Sequence, residues 1–494
     1  MSEYLLAFSN INSTYLIVLV LGVIVGYIIG ALPGFSATMG VAIFVPFSYN
    51  MPANAAFGFL IALYCSAVFA GSIPAILIRT PGTPAAICTV LDGYPMAKRG
   101  EAGRALGLAC WSSVIGGVIS AIVLMVAAEY IATFALSFGH YEYFMLGILG
   151  LTMVIGMSSG TMAKGLISMI IGLAIPLVGM DPMNGYPRFT FGSVQLLSGL
   201  QELPVMIGLF GISEIFVSFS SDESKHVSNQ KITNLFSGIK DLLKNKMLLL
   251  KTALLGAFLG TLPGVGATTA AILGYDQAKK GSKHPEKMGT GQPEGIIGPE
   301  CANNAVTGGA LIPLLSLGIP GDPVTAILLG ALMIHGLQPG PLLFVQQGVI
   351  VKGIFITVFL SYFVILAFSV FSIKLLARLL NIKSNVLYAF VLMFSLIGSY
   401  ALRNSYTDIY VALAFGFIGY WMRKDGYPLG PLILALVLGS MIEQKLSGAL
   451  KLSEGSILPF FTRPISLSLF ILAVAFTLYP FIKNYFGKKA KKSD

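Results

Sequence analysis

Gly26-Tyr-Ile-Ile-Gly30-Ala-Leu-Pro33-Gly34-Phe-Ser36-Ala-Thr38 returns later in the chain as Gly256-Ala-Phe-Leu-Gly260-Thr-Leu-Pro263-Gly264-Val-Gly-Ala-Thr268, each time inside an apolar run. A second pair follows, Ile78-Arg79-Thr80-Pro81-Gly82-Thr83-Pro84 after the first copy and Leu317-Gly-Ile-Pro320-Gly321-Asp322-Pro323 after the second. Each half of the chain therefore carries two Pro-Gly breaks. A break frees backbone amides and carbonyls, and in lipid these survive only where protein or a polar cavity supplies partners. Matched breaks in two halves are the sequence mark of a secondary transporter with a central binding site.

Working outward, the composition fits. The 494 residues are 55% hydrophobic and 11% charged, with a mean hydropathy of +0.83, which describes a polytopic membrane protein and not a soluble one. Uncharged runs at 15–32, 105–128, 354–373 and 465–482 approach or exceed the roughly 20 residues that cross the hydrocarbon core. The N-terminal Met-Ser-Glu-Tyr lacks a basic region before its first apolar run, so no cleaved signal peptide is expected. Cys65, Cys88, Cys110 and Cys301 show neither disulfide nor thiolate-metal spacing. The formal charge of +10 could indicate nucleic acid, but its distribution excludes that partner. Basic residues cluster at Lys98/Arg99/Arg104, Lys225 to Lys251, Lys279 to Lys287, Lys374 to Lys383, Arg423/Lys424 and Lys483 to Lys492, as cytoplasmic loops do.

Those clusters give a topology. The linker Ser48 to Asn54 is uncharged, while its counterpart Asp276 to Lys287 is lysine-rich; after the second break the contrast inverts, with Lys98-Arg99 in the first half against uncharged His335 to Pro341. Corresponding loops on opposite sides are the charge signature of an inverted-topology repeat. Further spans read near 105–128, 142–157, 165–181 and 200–219, then near 346–372, 386–401, 408–422 and 428–443, with a last one at 464–482. The expected fold is an all-α polytopic membrane protein with discontinuous or re-entrant helices and about 12 membrane segments. The expected units are a first repeat, 1–220; a cytoplasmic linker, 221–250, with an amphipathic helix over Ile232 to Leu243; a second repeat, 251–445; and an extra helix with a basic tail, 446–494. The N-terminus is expected outside and the C-terminus inside. Arg188, Lys352, Arg403, Lys445, Lys451 and Arg463 then fall outside, Arg79 in the apolar core, and the other basic residues inside.

Freed amides attract carboxylates and freed carbonyls coordinate sodium. Candidate substrate ligands are Gly34, Ser36, Thr38, Gly264 and Thr268, with Arg79, Thr80, Gly82 and Thr83 at the second break of half one. Candidate cation ligands are carbonyls at Pro33-Gly34 and Pro263-Gly264, with Thr269 and Asp322. A purely structural reading competes: the glycines let helices pack closely and the hydroxyls bond back to their own backbone. A guanidinium at Arg79 offers a carboxylate a bidentate fork, or else it reaches the interface or pairs with an acid such as Asp92. Asp322 serves as cation ligand or proton carrier, or as a turn residue stabilising the break. Half two also supplies Glu294 and Glu300 near its second break, and Asn303 and Asn304 offer donors and acceptors to a ligand. The four histidines have no metal spacing, and no nucleotide-binding loop occurs.

These blocks, together with Leu91-Asp-Gly-Tyr-Pro-Met-Ala-Lys98, Pro299-Glu-Cys-Ala-Asn-Asn304 and Gly336-Leu-Gln-Pro-Gly-Pro341, resemble the large membrane subunit of the tripartite tricarboxylate transporter family over nearly the whole chain. The resemblance implies a bacterial inner-membrane importer of di- or tricarboxylates driven by an ion gradient, sodium ahead of protons, with no other cofactor. It also implies a small four-span membrane subunit and a periplasmic solute-binding protein as partners. Two departures stand out: Phe69-Ala70-Gly71-Ser72 and Arg79 replace the family's Tyr-Gly-Gly-Ser and Asn, and Asp322 occupies a position usually small or hydroxylated. Arg79 and Asp322 are close enough in character to pair across the repeats. The competing functions are a carboxylate carrier that works alone and an ion channel; an enzyme is excluded by the lack of a nucleophile, metal or acid-base set.

Overall fold

The computed structural model describes residues 2–157, 162–181, 183–219, 235–379 and 384–490. Among these the regular structure is helical except for a short antiparallel pair, Gly179–Met180 with Pro187–Arg188. Five stretches are long and apolar enough to cross a membrane: Ser13–Ala31, Ala53–Ile78, Thr89–Ala135, Gly348–Phe371 and Leu429–Leu452. Shorter apolar helices accompany them at Ala37–Ser48, Met162–Leu177, Pro323–Ile334, Tyr388–Ala401 and Pro464–Leu478. The chain is an all-α protein of the membrane class, as its composition requires.

Most helices fall where apolar runs place them: Ala102–Ala135, His140–Met157, Gly348–Leu379, Ser384–Ala401, Tyr406–Lys424 and Leu429–Leu452. Two differ in shape from the expectation. The run at 165–181 ends in a 3-10 turn at Ile175–Leu177, where Pro176 has no amide to continue the ladder, and the chain enters the hairpin loop. The run at 200–219 is Glu202–Met206 and Ser213–Phe219 joined by a π turn, Ile207–Ile212. Leu429–Leu452 continues past residue 445. Of the linker's amphipathic stretch, Ile232 to Asn234 lie outside the described residues; from Leu235 it forms a 3-10 turn, Leu235–Gly238, and a helix, Ile239–Lys244. Leu235 and Leu242 are buried, and Arg104 clamps this helix by donating to Asp241 at 2.7 and 2.9 Å.

The two halves make the same crossing. Gly26 and Gly30 sit so close to the Ala53–Ala70 helix that a Cβ would lie 2.2 Å from the carbonyl oxygens of Leu63 and Ala67. Gly256 and Gly260 approach the Glu294–Leu317 helix in the same way, with a Cβ 2.1 Å from Ala302 O and 2.8 Å from Val306 O. Only glycine permits this approach, which buries backbone against backbone.

The last helices of the halves are exchanged. Segment 202–219 packs on the Ser384–Ala401 and Tyr406–Lys424 helices of half two, while Leu429–Leu452 packs on His140–Met157 and Met162–Ala174 of half one. One apolar core runs through both halves, from Tyr15 and Leu19 to Leu436 and Val437. The halves are thereby a single body.

Candidate functional site

Each half has one break at the start of its crossing and one at the end, and the two touch. In half one the Ser13–Ala31 helix ends, Gly34 takes φ +87°, and Ser36 caps the next helix by accepting from Met39 N at 3.1 Å. In half two the helix stops at Gly260, Gly264 takes φ +81°, and Gly264 N donates to Gly321 O at 2.9 Å. A Cβ on Gly82 would lie 2.1 Å from Gly30 O, and one on Gly321 2.2 Å from Gly260 O. The Pro-Gly turns of one half thus lock onto each other without room for a side chain.

The second breaks are alike down to single residues. Helix Ser72–Ile78 ends at Arg79 in the left-handed conformation (φ +61°), and helix Glu294–Leu317 ends at Gly318 in the same conformation (φ +73°). Then come Pro81-Gly82-Thr83-Pro84 and Pro320-Gly321-Asp322-Pro323. Asp322 caps the Pro323–Ile334 helix through a capping box with Thr325, its Oδ1 accepting from Thr325 N at 2.8 Å. Its Oδ2 accepts from Tyr64 at 2.5 Å. The turn-stabilising reading of Asp322 is what this geometry expresses, with the Tyr64 bond added.

Across the halves lies a buried polar network. Glu300 accepts from Thr89 through Oε1 and from Ser113 through Oε2 at 3.2 Å. Asn303 donates to Ala85 O at 3.0 Å. Asn304 donates to Ser113 Oγ at 2.8 Å, Asn303 Oδ1 at 2.6 Å and Glu300 O at 3.1 Å. Tyr362 donates to Asn304 O at 3.0 Å and shares a bond with Thr307 at 2.8 Å. All these side chains are shielded from solvent, and Thr83 adds a buried hydroxyl with no partner among the described residues. A polar cluster of this density inside apolar helices costs stability unless it is satisfied and used.

The Leu91 to Arg99 block serves a different purpose. Asp92 is buried and accepts from Gly289 N, Gly291 N and Gln292 N at 2.7–3.0 Å and from Tyr275 at 2.9 Å. Arg99 donates to Thr290 O at 2.6 Å and Gly291 O at 2.8 Å. This clasp ties half one to the loop that enters the Glu294–Leu317 helix. Arg79 therefore does not pair with Asp92, nor with Asp322; it is exposed, makes no ion pair among the described residues, and lies 6.0 Å from the Tyr94 ring.

Two cavities, about 440 and 530 Å³, adjoin each other and share Glu202, Met333, Ser440 and Gln444 in their walls. The larger reaches Leu317 and Gly318, so the second break of half two opens to it. Of the cations lining them, Arg403 is paired with Asp408, whereas Lys445 lies over the Tyr143 ring at 5.0 Å without an acid partner among the described residues.

The structure brings Gly82 and Thr83 of the first half close to the network that holds Asn303 and Asn304, and joins Gly264 to Gly321 next to Asp322. It gives no direct contact between these and Ser36, Thr38, Thr268 or Thr269; the three threonines are half-buried with no side-chain hydrogen bond among the described residues. Thr80 bonds back to Ile78 O at 3.4 Å, and Pro33 and Pro263 are buried in the turns. Sequence reasoning gave Glu300 no role and passed over Tyr64, Thr89, Ser113, Thr307 and Tyr362. Tyr64 had a signal: it stands in half one where Asn303 stands in half two, counting back from the second breaks at Pro81 and Pro320.

Broken helices meeting around a buried polar centre define a membrane transport protein rather than an enzyme. The chain belongs to the tripartite tricarboxylate transporter TctA family, which it matches over residues 16–434. It is 34% identical over 470 residues to an uncharacterized 52.8 kDa protein from the TAR-I ttuC' 3' region of Agrobacterium vitis, covering 95% of this chain and 94% of that one. It is 35% identical over 232 residues to a protein from the TAR-II ttuC' 3' region of the same organism, 46% of this chain and 96% of the relative. No solved structure matches. The protein is thus a tricarboxylate transporter subunit.

Proposed function

We propose that this subunit imports di- and tricarboxylates of the citrate type across the bacterial inner membrane by sodium symport, with alternating access about the paired breaks. The observation that carries the reading is the reciprocal contact of the two halves: Tyr64 to Asp322 on one side, Asn303 to Ala85 on the other. Two-fold exchange of this kind, with loop charge of opposite sign of bias in the two halves, is what an inverted-topology repeat of about 12 segments produces. The cavities at Gly318 form the external vestibule in this reading, and Arg79, at the equivalent place in half one, faces the internal one.

The carboxylate would be met by the amide ends at Gly34 and Gly264, by Ser36, Thr38, Thr268 and Thr80, and by Arg79 on the inner side. Asn303 and Asn304 have their amide protons engaged in this conformation, so they hold substrate only after the network rearranges. Carbonyls at Pro33-Gly34 and Pro263-Gly264 with Thr269 remain part of the cation path; Asp322 is occupied as a cap. A small four-span subunit and a periplasmic binding protein complete the assembly, with the N-terminus outside and the C-terminus inside. The units 1–220, 221–250, 251–445 and 446–494 stand as the proposed division. Membrane-impermeant labelling of Tyr49→Cys and Lys283→Cys in intact cells tests the topology: labelling of the first alone supports inversion, and equal labelling of both contradicts it.

A further inference from the structure

Among the described residues five carboxylates are buried: Asp92, Glu142, Glu300, Asp322 and Asp408. Four have their charge answered. Asp408 pairs with Arg403, and Glu142 pairs with Arg463 at 2.6 Å and accepts from Gly139 N. Asp92 accepts several backbone amides, and Asp322 sits on a helix N-terminus that it caps. Among the described residues Glu300 has neither a cation nor a backbone amide; its carboxylate meets only neutral side chains, the hydroxyls of Thr89 and Ser113 and the amide of Asn303. An unanswered charge in the interior is costly, and a group kept in that condition marks a cation's place.

The surroundings say which cation. Ser113 Oγ and Asn303 Oδ1 both lie within 2.8 Å of Asn304 Nδ2, and the side chains of Ser113 and Asn303 both hydrogen-bond to the Glu300 carboxylate. Ser112, next to Ser113 on the Ala102–Ala135 helix, and Thr83, ahead of the Pro84–Ala86 turn, carry buried hydroxyls with no partner among the described residues. A proton would need one acceptor and no such gathering. A hard monovalent cation needs several oxygens, including at least one bearing charge, to replace its water.

We propose that Glu300, Thr89, Ser113 and Asn303 form a sodium site at the crossing of the two halves. Three segments contribute: Thr89 begins the helix after the second break of half one, Ser113 belongs to the Ala102–Ala135 helix, and Glu300 and Asn303 to the Glu294–Leu317 helix. Sodium there neutralises the interior charge and ties the half-one break to the half-two helix. The inference rests on the symport reading above and names the coupling residues for it.

The test uses the full chain purified in detergent, with neither carboxylate nor binding protein, so it is independent of whether uptake is found. Thermal unfolding is followed in NaCl against choline chloride at constant ionic strength, at acidic and at neutral pH. Sodium is expected to raise the melting temperature of the wild type, because it binds the folded state alone. Glu300→Gln is expected to lose that sodium shift while melting no lower than wild type in choline, since it removes the unanswered charge. Ser113→Ala is expected to weaken the apparent sodium affinity about tenfold. A sodium shift that survives Glu300→Gln, or a wild type that responds to pH and not to sodium, overturns the proposal. Sodium binding without gradient-driven uptake would instead count against the transport reading and leave the site standing.

Discussion

Tyr64 Oη stands 2.5 Å from Asp322 Oδ2, and Asn303, the residue at the equivalent place in the other half, donates to Ala85 O at 3.0 Å. Each half thus reaches with its crossing helix into the other half's second break. Because Asp322 also caps the Pro323–Ile334 helix, Tyr64 fixes where that helix begins. Tyr64→Phe leaves a buried carboxylate oxygen without its donor, at a cost of about 1–3 kcal/mol. The double variant Tyr64→Phe/Asp322→Asn is expected to cost less than the sum of the singles in thermal melts. Additive effects would show that the two side chains do not interact.

Gly82 and Gly321 should be intolerant and equally so. A Cβ would come 2.1 Å from Gly30 O in one case and 2.2 Å from Gly260 O in the other, with backbone on both sides. Gly82→Ala and Gly321→Ala are each expected to lose about 1–3 kcal/mol or more of stability. Gly281→Ala, with nothing within 4 Å, is the neutral control. Measured melting temperatures near wild type for the first two would mean that the breaks are loosely packed.

Arg79 separates stability from function. Its backbone is left-handed at φ +61°, the conformation that Gly318 supplies in half two, and its guanidinium has no ion pair among the described residues. Arg79→Gly relieves about 1 kcal/mol of backbone strain and gives up a ring contact of similar size, so the melting temperature is expected to stay near wild type. If the guanidinium meets substrate on the inner side, KM for carboxylate efflux rises about tenfold. An unchanged KM removes Arg79 from the substrate path.

The Asp92 clasp should behave as one unit. Asp92→Asn exchanges an anion that accepts from three backbone amides and Tyr275 for a group with one acceptor and two donors. A loss of about 2 kcal/mol is expected, with faster hydrogen exchange at Gly289 and Gly291 than elsewhere. Exchange spread evenly over the protein would show that the clasp has no local role.

The sequence carried the breaks because proline and glycine are local signals: Gly34, Gly264 and the Pro81 and Pro320 turns are where the pattern put them. Helix placement was equally legible from apolar runs. The polar centre was harder, since it is assembled from distant segments. Glu300 meets Thr89 and Ser113, whose place beside it depends on how the Ala102–Ala135 helix packs, and no spacing encodes that. Ser36 caps a helix as well as standing at a break, and a hydroxyl ahead of a helix reads the same in sequence for either purpose. Apolar flanks place Arg79 in the apolar core; what they do not encode is its left-handed turn and its place beside the Tyr94 ring.

The most direct test of the account is accumulation of labelled citrate in proteoliposomes holding this chain and its small partner, with binding protein and a sodium gradient each present or absent. Accumulation above equilibrium is expected only when both are present. Uptake by this chain alone, or flux that never exceeds equilibrium, would contradict it.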